Sequence, residues 1–360
     1  MNEYVDTALA LSLLSYFPEL SHGSFPDIGA FLDFYFTSDK DNRPETMFSG
    51  LCPDEGSGVV AAMKELRRRR FREMRIVCDS SRSRRFNSFC AVDSVTGTAY
   101  IVIGGNYRIG FYTSGSGVTS SWCDNFLGAV QTVTAEQKDI LTFYDRAVSR
   151  LNGQRIIVCG HSKGGSLAQY ITLMRGSVGR CYSFDGQGFS DGFIKRHRRL
   201  IEKRGGKIQS FTPDRSTVGS LLTPLGTAEK YTVRAMPVRK GLLCCHIPAA
   251  LLDKDLRLGE LVPRPAFITR LIGRVSVQTV RAAQRLPFIS AEKGLGHIGK
   301  ALQYIFKEQP KRGLAELVSP DVFFLLLLLI LDIPPAAVCT LLSPVNRKGA
   351  SQWTASPERT

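Results

Sequence analysis

Hydrophobic and polar positions recur along this chain with different periods in different stretches. Between residues 4 and 20, Ala8, Leu11, Leu14 and Phe17 return at helical spacing, which predicts an amphipathic helix ending near Pro18. A second apolar segment covers 29–36, and the Pro, Gly and Asp of 44–58 predict a loop. Residues 59–75 have a helical pattern that closes in Arg67-Arg68-Arg69-Arg70, read as a solvated helix face. Short β-branched and aromatic runs follow at 74–78, 88–93 and 98–104. Thr96-Gly97 turns the chain between the last two, so they predict a hairpin. A long polar loop is expected from Gly105 to Trp122. Thr134 then stands three residues before Gln137, the spacing of a capping box, and predicts a helix over 135–151.

From there the period switches back and forth. The pattern predicts strands at 155–158, 180–184, 207–212 and 231–236, with helices at 167–174 and 191–204. That alternation argues for a mostly parallel central sheet with right-handed crossovers and flanking helices, an α/β class. In such sheets the working residues gather at the C-terminal strand ends. Gly105, Ser162, Asp185 and Asp214 all fall there.

Beyond residue 255 the character changes. Ile268, Leu271, Ile272, Val275 and Leu286 mark one helix face, and Arg270, Arg274, Arg281 and Arg285 the other. Such a basic amphipathic helix either packs its apolar face on the domain, the preferred reading, or lies on an anionic membrane. Residues 322–331 are uninterruptedly apolar, too short for the ~20 residues of a bilayer span. Extended to 342 the stretch is long enough but contains Asp332, which costs ~3 kcal/mol at mid-membrane. The expected organisation is an α/β domain over 1–255, a basic helical extension over 256–345 with its hydrophobic segment at 322–342, and a polar tail over 346–360.

Composition narrows the partners. With 43% hydrophobic and 22% charged residues, the 360-residue chain is globular rather than disordered. Its net charge of +15 is consistent with nucleic acid, an anionic membrane surface, or only a basic proteome. No nucleic-acid module or aromatic interleaving accompanies the basic groups, so nucleic acid is not expected and an anionic membrane surface is retained. Nine cysteines with no C-x-x-C read as reduced thiols of a cytoplasmic protein, membrane-associated if 322–342 attaches, with no metal or cofactor. The acidic Met1–Asp6 stretch is unlike a signal peptide. Gly294 to Ala301 nearly matches a P-loop, but Ala301 stands where Mg²⁺ needs a hydroxyl, and nucleotide binding is set aside.

One stretch carries chemistry. Gly160-His161-Ser162-Lys163-Gly164 lies between a strand and a helix, the context of a nucleophile elbow. A serine nucleophile needs a base and an orienting acid, in chain order Ser, acid, His. Of five histidines, His246 follows an apolar run and leads into a loop before Pro248, where a base is expected. His161 points away from Ser162, and His197 lies on an exposed basic helix face. Asp214 is the preferred acid and Asp185 the alternative, with Ser216 nearby. The oxyanion donors are expected from the amide of Lys163 and from Gly105-Asn106.

These residues carry a resemblance. Gly160-His161-Ser162-Lys163-Gly164-Gly165-x-Leu167-Ala168, Asp185-Gly186-x-Gly188-Phe189 and Pro213-x-x-Ser216-x-Val218-Gly219-x-Leu221 resemble the Mbeg-like family. Trp122-x-Asp124-Asn125-Phe126 and Leu11 to Tyr16 resemble it too. Those are bacterial α/β-hydrolase proteins of unassigned function, similar to class 3 lipases. The resemblance spans roughly 4–255. It implies a lipase-like α/β-hydrolase fold with Ser162 as nucleophile, His246 as base and Asp214 or a neighbour as acid. Related lipases usually carry Arg-Gly-Thr or similar where this chain has Gly104-Gly105-Asn106. The expected activity is hydrolysis of a carboxylic, lipid-like ester through an acyl-enzyme on Ser162. The alternative is an inactive membrane-associated binding scaffold on the same fold.

Overall fold

The computed structural model describes residues 3–17, 19–20, 25–37, 64–66, 69–80, 86–105, 111–114, 117–120, 132–216, 218–235 and 244–285, with 297 and 312. The loop expected at 44–58, Asn106 and the hydrophobic segment 322–342 lie outside them. In chain order the elements are α1 (Glu3–Leu14), α2 (Ile28–Thr37), β1 (Arg75–Asp79), β2 (Ser88–Asp93), β3 (Thr98–Ile103), β4 (Phe111–Ser114) and β5 (Gly117–Ser120). Then come α3 (Ala135–Val148), β6 (Arg155–His161), α4 (Lys163–Met174), β7 (Arg180–Phe184), α5 (Asp191–Arg196) and α6 (Arg198–Arg204). The chain continues through β8 (Ile208–Pro213), β9 (Glu229–Val233), β10 (Leu261–Val262) and α7 (Phe267–Arg285).

Eight strands form one sheet in the order β1-β2-β3-β6-β7-β8-β9-β10. The run from β3 through β6, β7 and β8 to β9 is parallel, and antiparallel pairs finish both edges. This mixed α/β sheet, covered by helices, is an α/β-hydrolase fold. Sequence alternation sorts the strand residues onto two faces. Tyr100, Val102, Ile157, Cys159, Tyr182 and Phe184 share one core with α1 and α2. Ile101, Ile103, Ile156, Val158, Cys181 and Ile208 share the other with α3 and α4. The central strands are buried on both faces, so they read as continuous apolar runs.

Several expectations change. The first helix is not amphipathic, because Ala10, Ser12 and Leu13 are buried along with Leu9, Leu11 and Leu14. Ser12 tolerates this by donating to the Ala8 carbonyl at 2.7 Å. Within the expected long polar loop, β4 and β5 form an antiparallel ribbon, with Phe111 opposite Ser120. Of 59–75, residues 64–66 are helical, a 3₁₀ turn covers Arg70–Glu73, and Arg75 already belongs to β1. The basic helix over 191–204 breaks into α5 and α6 at His197. His197 is half-buried rather than on an exposed face, its ring 4.5 Å from that of Phe193, and burial lowers its pKa. The capping box at Thr134 forms as the spacing predicts.

The five cysteines that the described residues resolve as free thiols (Cys78, Cys90, Cys159, Cys181 and Cys245) are all buried. Burial pushes the thiols of Cys90, Cys159 and Cys181 far up, which keeps them protonated and inert.

Candidate active site

The turn between β6 and α4 is as tight as its glycines require. A Cβ on Gly160 would lie 2.5 Å from the Ile103 carbonyl oxygen of β3, and one on Gly164 would strike the same oxygen. Only glycine lets the chain reverse this close to the neighbouring strand. Ser162 at the apex takes φ 58° and ψ −127°, a conformation that L side chains rarely adopt. Its amide donates to the Phe184 carbonyl at 2.9 Å, and its carbonyl accepts from Ser166 at 3.2 Å. Strain held by its surroundings in this way gathers at functional sites.

Two more segments converge on the apex. His246 ends a short 3₁₀ turn, Cys244–His246, anchored by buried Cys245 and Ile247 on either side. Asp185 follows the last residue of β7 at φ 50° and is fully buried. His246 Nε2 accepts from the Ser162 hydroxyl at 2.8 Å, and His246 Nδ1–H donates to Asp185 Oδ2 at 2.6 Å. A carboxylate oxygen facing Nδ1 favours the tautomer with its proton there, which leaves Nε2 to accept from Ser162. Asp185 also accepts from the Ser216 hydroxyl, and from the Gly219 amide at 3.0 Å. Donors thus surround a carboxylate that would be costly to bury unpaired.

Asp214, preferred from chain order, is not brought to His246. Its Oδ1 accepts from the Ala235 amide at 3.0 Å, and its carbonyl accepts from Ala266 and from the Thr269 hydroxyl. The carboxylate touching His246 is one strand nearer to Ser162, just after β7. Ser216, near Asp214 in sequence, reaches back to Asp185 instead. Gly105 lies behind the turn, where a Cβ would meet the Tyr16 hydroxyl and, at 3.0 Å, the His161 carbonyl oxygen. The Lys163 amide begins α4, directly after Ser162.

Two pairings escaped the sequence reading. Tyr16, just past α1, is hydrogen-bonded to His161 Nδ1 at 2.6 Å. The His161 ring centroid lies 5.0 Å from that of His246. Burial, then the neighbouring His246, hold its pKa well below the usual histidine value, so it is neutral. The Lys163 side chain is also buried and forms an ion pair with buried Glu136 in the first turn of α3. No local pattern joins residues 16 and 161, or 136 and 163. Only the placement of α1 and α3 on opposite faces of β6 does.

The donor atoms of His161, Asp185 and His246 lie within 4.8 Å of one another, a spacing that also suits a metal ion. Here Asp185 and His246 are bonded to each other and His161 to Tyr16. The hydrogen bonds run in series from Asp185 through His246 to the Ser162 hydroxyl.

A strained serine between strand and helix, joined through histidine to a buried carboxylate on an eight-stranded α/β sheet, defines an α/β-hydrolase-type protein. Residues 69–236 match the model of the Mbeg1-like family. A comparison with functionally curated proteins gives no match. Among solved structures, the chain is similar to a Rhizomucor miehei lipase–propeptide complex, with 14% identity over 72% of this chain and 82% of that one and a TM-score of 0.35. It is also similar to a mutant form of MDLA from Penicillium cyclopium, with 12% identity over 75% and 93% and a TM-score of 0.38. A triacylglycerol lipase described as having a serine protease triad for its catalytic centre gives 12% identity over 71% and 95%, also with a TM-score of 0.38.

Proposed function

We propose that this protein is a serine hydrolase acting on carboxylic, lipid-like esters through an acyl-enzyme on Ser162. The observation that carries the reading is the unbroken chain of hydrogen bonds from Ser162 through His246 to Asp185. Ser162 Oγ attacks the ester carbonyl while His246 Nε2 takes its proton. Asp185 holds Nδ1–H, fixing the tautomer and stabilising the imidazolium that forms. The oxyanion of the tetrahedral intermediate is held by the Lys163 amide at the N-terminus of α4, with a second donor from the loop after β3 at Gly105 or Asn106. Collapse of the intermediate returns the proton from His246 to the leaving alcohol. Water, activated by the same imidazole, then releases the acid.

Buried Lys163 and Glu136 tie the first turns of α4 and α3 together, which fixes the direction of the Lys163 amide. A cation at a helix N-terminus opposes the helix dipole, and the Glu136 carboxylate offsets it.

The test is labelling with a fluorophosphonate probe, followed by turnover of a p-nitrophenyl ester series. Wild type is expected to label and Ser162→Ala not to. Equal labelling of the two would show that Ser162 is not the nucleophile.

A further inference from the structure

α7 meets the body of the protein through small and hydroxylated residues that lie between its arginine-bearing and its apolar positions. Thr269 is buried and donates to the Asp214 carbonyl at 3.0 Å. A Cβ on Gly273 would lie 2.8 Å from the Ser220 carbonyl oxygen, and Ser276 Oγ accepts from the Leu222 amide at 3.3 Å. Thr269, Gly273 and Ser276 follow one another at helical spacing, so small and hydroxylated residues make the docked face. Arg281 closes the contact by pairing with Asp191 at the start of α5.

The outer face is the reverse of a solvated one. Phe267 is 71% exposed and Leu271 40%. Arg270 and Arg274 are exposed beside them and form no ion pair among the described residues, and the Arg270 guanidinium lies 6.0 Å from the Phe267 ring centroid. No acidic residue occurs from Phe267 to Arg285. Lys195 and Arg196 of α5, and Arg199 and Lys203 of α6, are exposed as well.

Position adds a second argument. Every contact just named is with a segment that follows the C-terminal end of β7 or β8, the end of the sheet that carries Ser162. α7 therefore runs along the rim of the candidate site, and its most exposed aromatic sits where the helix leaves Asp214.

We propose that the outer face of α7 is a docking surface for an anionic lipid bilayer, with Phe267 and Leu271 entering the interface and Arg270 and Arg274 meeting lipid phosphates. Exposed arginines alone would suit nucleic acid equally well. Bulky apolar side chains held out among them fit acyl chains, which a nucleic acid does not offer. The surface rests on the reading of Ser162 as an ester-hydrolysing site only for its purpose, which is to bring that site to its substrate.

The experiment is flotation of the full chain with vesicles of phosphatidylcholine alone, or of phosphatidylcholine with about one third phosphatidylglycerol. Recovery is expected with the anionic vesicles, weakened by high salt. Arg270→Gln with Arg274→Gln should weaken binding about 25-fold, roughly fivefold for each charge lost. Phe267→Ser with Leu271→Ser should weaken it at least as much. All four residues are exposed, and circular dichroism is expected to show both variants folded like wild type. Ser162→Ala should float like wild type, so a dead hydrolase and a failed surface give different results. Equal binding to neutral vesicles, wild-type binding by both variants, or capture of RNA without vesicle binding would each overturn the proposal.

Discussion

The ends of β7 and β8 carry the same residue type, on adjacent strands and at the same edge of the sheet, yet they do different work. Asp185 after β7 is fully buried, takes a left-handed backbone conformation, and gathers a hydroxyl, an amide and the His246 imidazole on its two oxygens. Asp214 after β8 is only partly buried. It serves as a backbone joint, receiving the Ala235 amide on its side chain and the start of α7 on its carbonyl. Position at a strand end makes a carboxylate available. Being sealed in by donors aimed at it is what would make it part of the proposed relay.

The largest expected effect tests that contrast directly. Asp185→Asn should lower kcat for an ester about 10⁴-fold, because an amide facing Nδ1 favours the wrong tautomer. Asp214→Ala should leave kcat within a few-fold and cost about 1 kcal/mol of unfolding free energy, the worth of its bond to Ala235. Ester turnover and denaturant melts on the two variants measure both. If the effects were exchanged, the relay would run through β8 as chain order suggests.

A smaller effect sharpens the same point. Gly219 gives its amide to Asp185, and a Cβ there would strike the same carboxylate oxygen and lie 2.8 Å from Thr212 Cγ2. Gly219→Ala should push the carboxylate off His246 and lower kcat by roughly ten- to a hundredfold, within the range of losing one oriented catalytic contact. KM should change little, because the Asp185 carboxylate lies behind His246. A wild-type kcat in Gly219→Ala would mean that Asp185 does not need its surroundings to hold the imidazole.

Much of this site was legible in the residue pattern, and the rest was not, for identifiable reasons. Ser162 is readable because its constraints are local: both glycines, the strand and the helix lie within a dozen residues. His246 is readable from chain order and the apolar run before it. The choice between Asp185 and Asp214 is not local, since it depends on which strand end the turn at 244–246 lands over. The exposure of Phe267 and Leu271 on α7 is hidden for a related reason. Hydrophobic spacing tells that a helix has two unlike faces, whereas the contact of Gly273 with Ser220 is made at a position between them and is set by tertiary packing. In α1 the helical spacing of Ala8, Leu11 and Leu14 hid the burial of the opposite side, because Ser12 satisfies its hydroxyl within the helix.

The end of β6 extends the comparison to a third group sealed at the same edge of the sheet. His161 is buried, tied to Tyr16, and held well below the ordinary histidine pKa, first by burial and then by the nearby His246 imidazole. A histidine depressed in this way is neutral in the folded protein and protonates readily once unfolded. At pH above the unfolded value of about 6.5, neither state carries its proton and the folded state bears no penalty. As pH falls below about 6.5, the unfolded chain binds a proton that the folded one refuses, so stability declines by up to about 1.4 kcal/mol for each pH unit until the folded value is reached. His161→Gln has no such group. Its unfolding free energy should start lower, for want of a well-placed partner for Tyr16, and should fall less steeply between pH 6.5 and 5 than that of wild type. Denaturant melts across that range measure the two slopes. Parallel curves would mean that His161 accepts a proton without unfolding, and that this strand end, unlike that of β7, is not sealed.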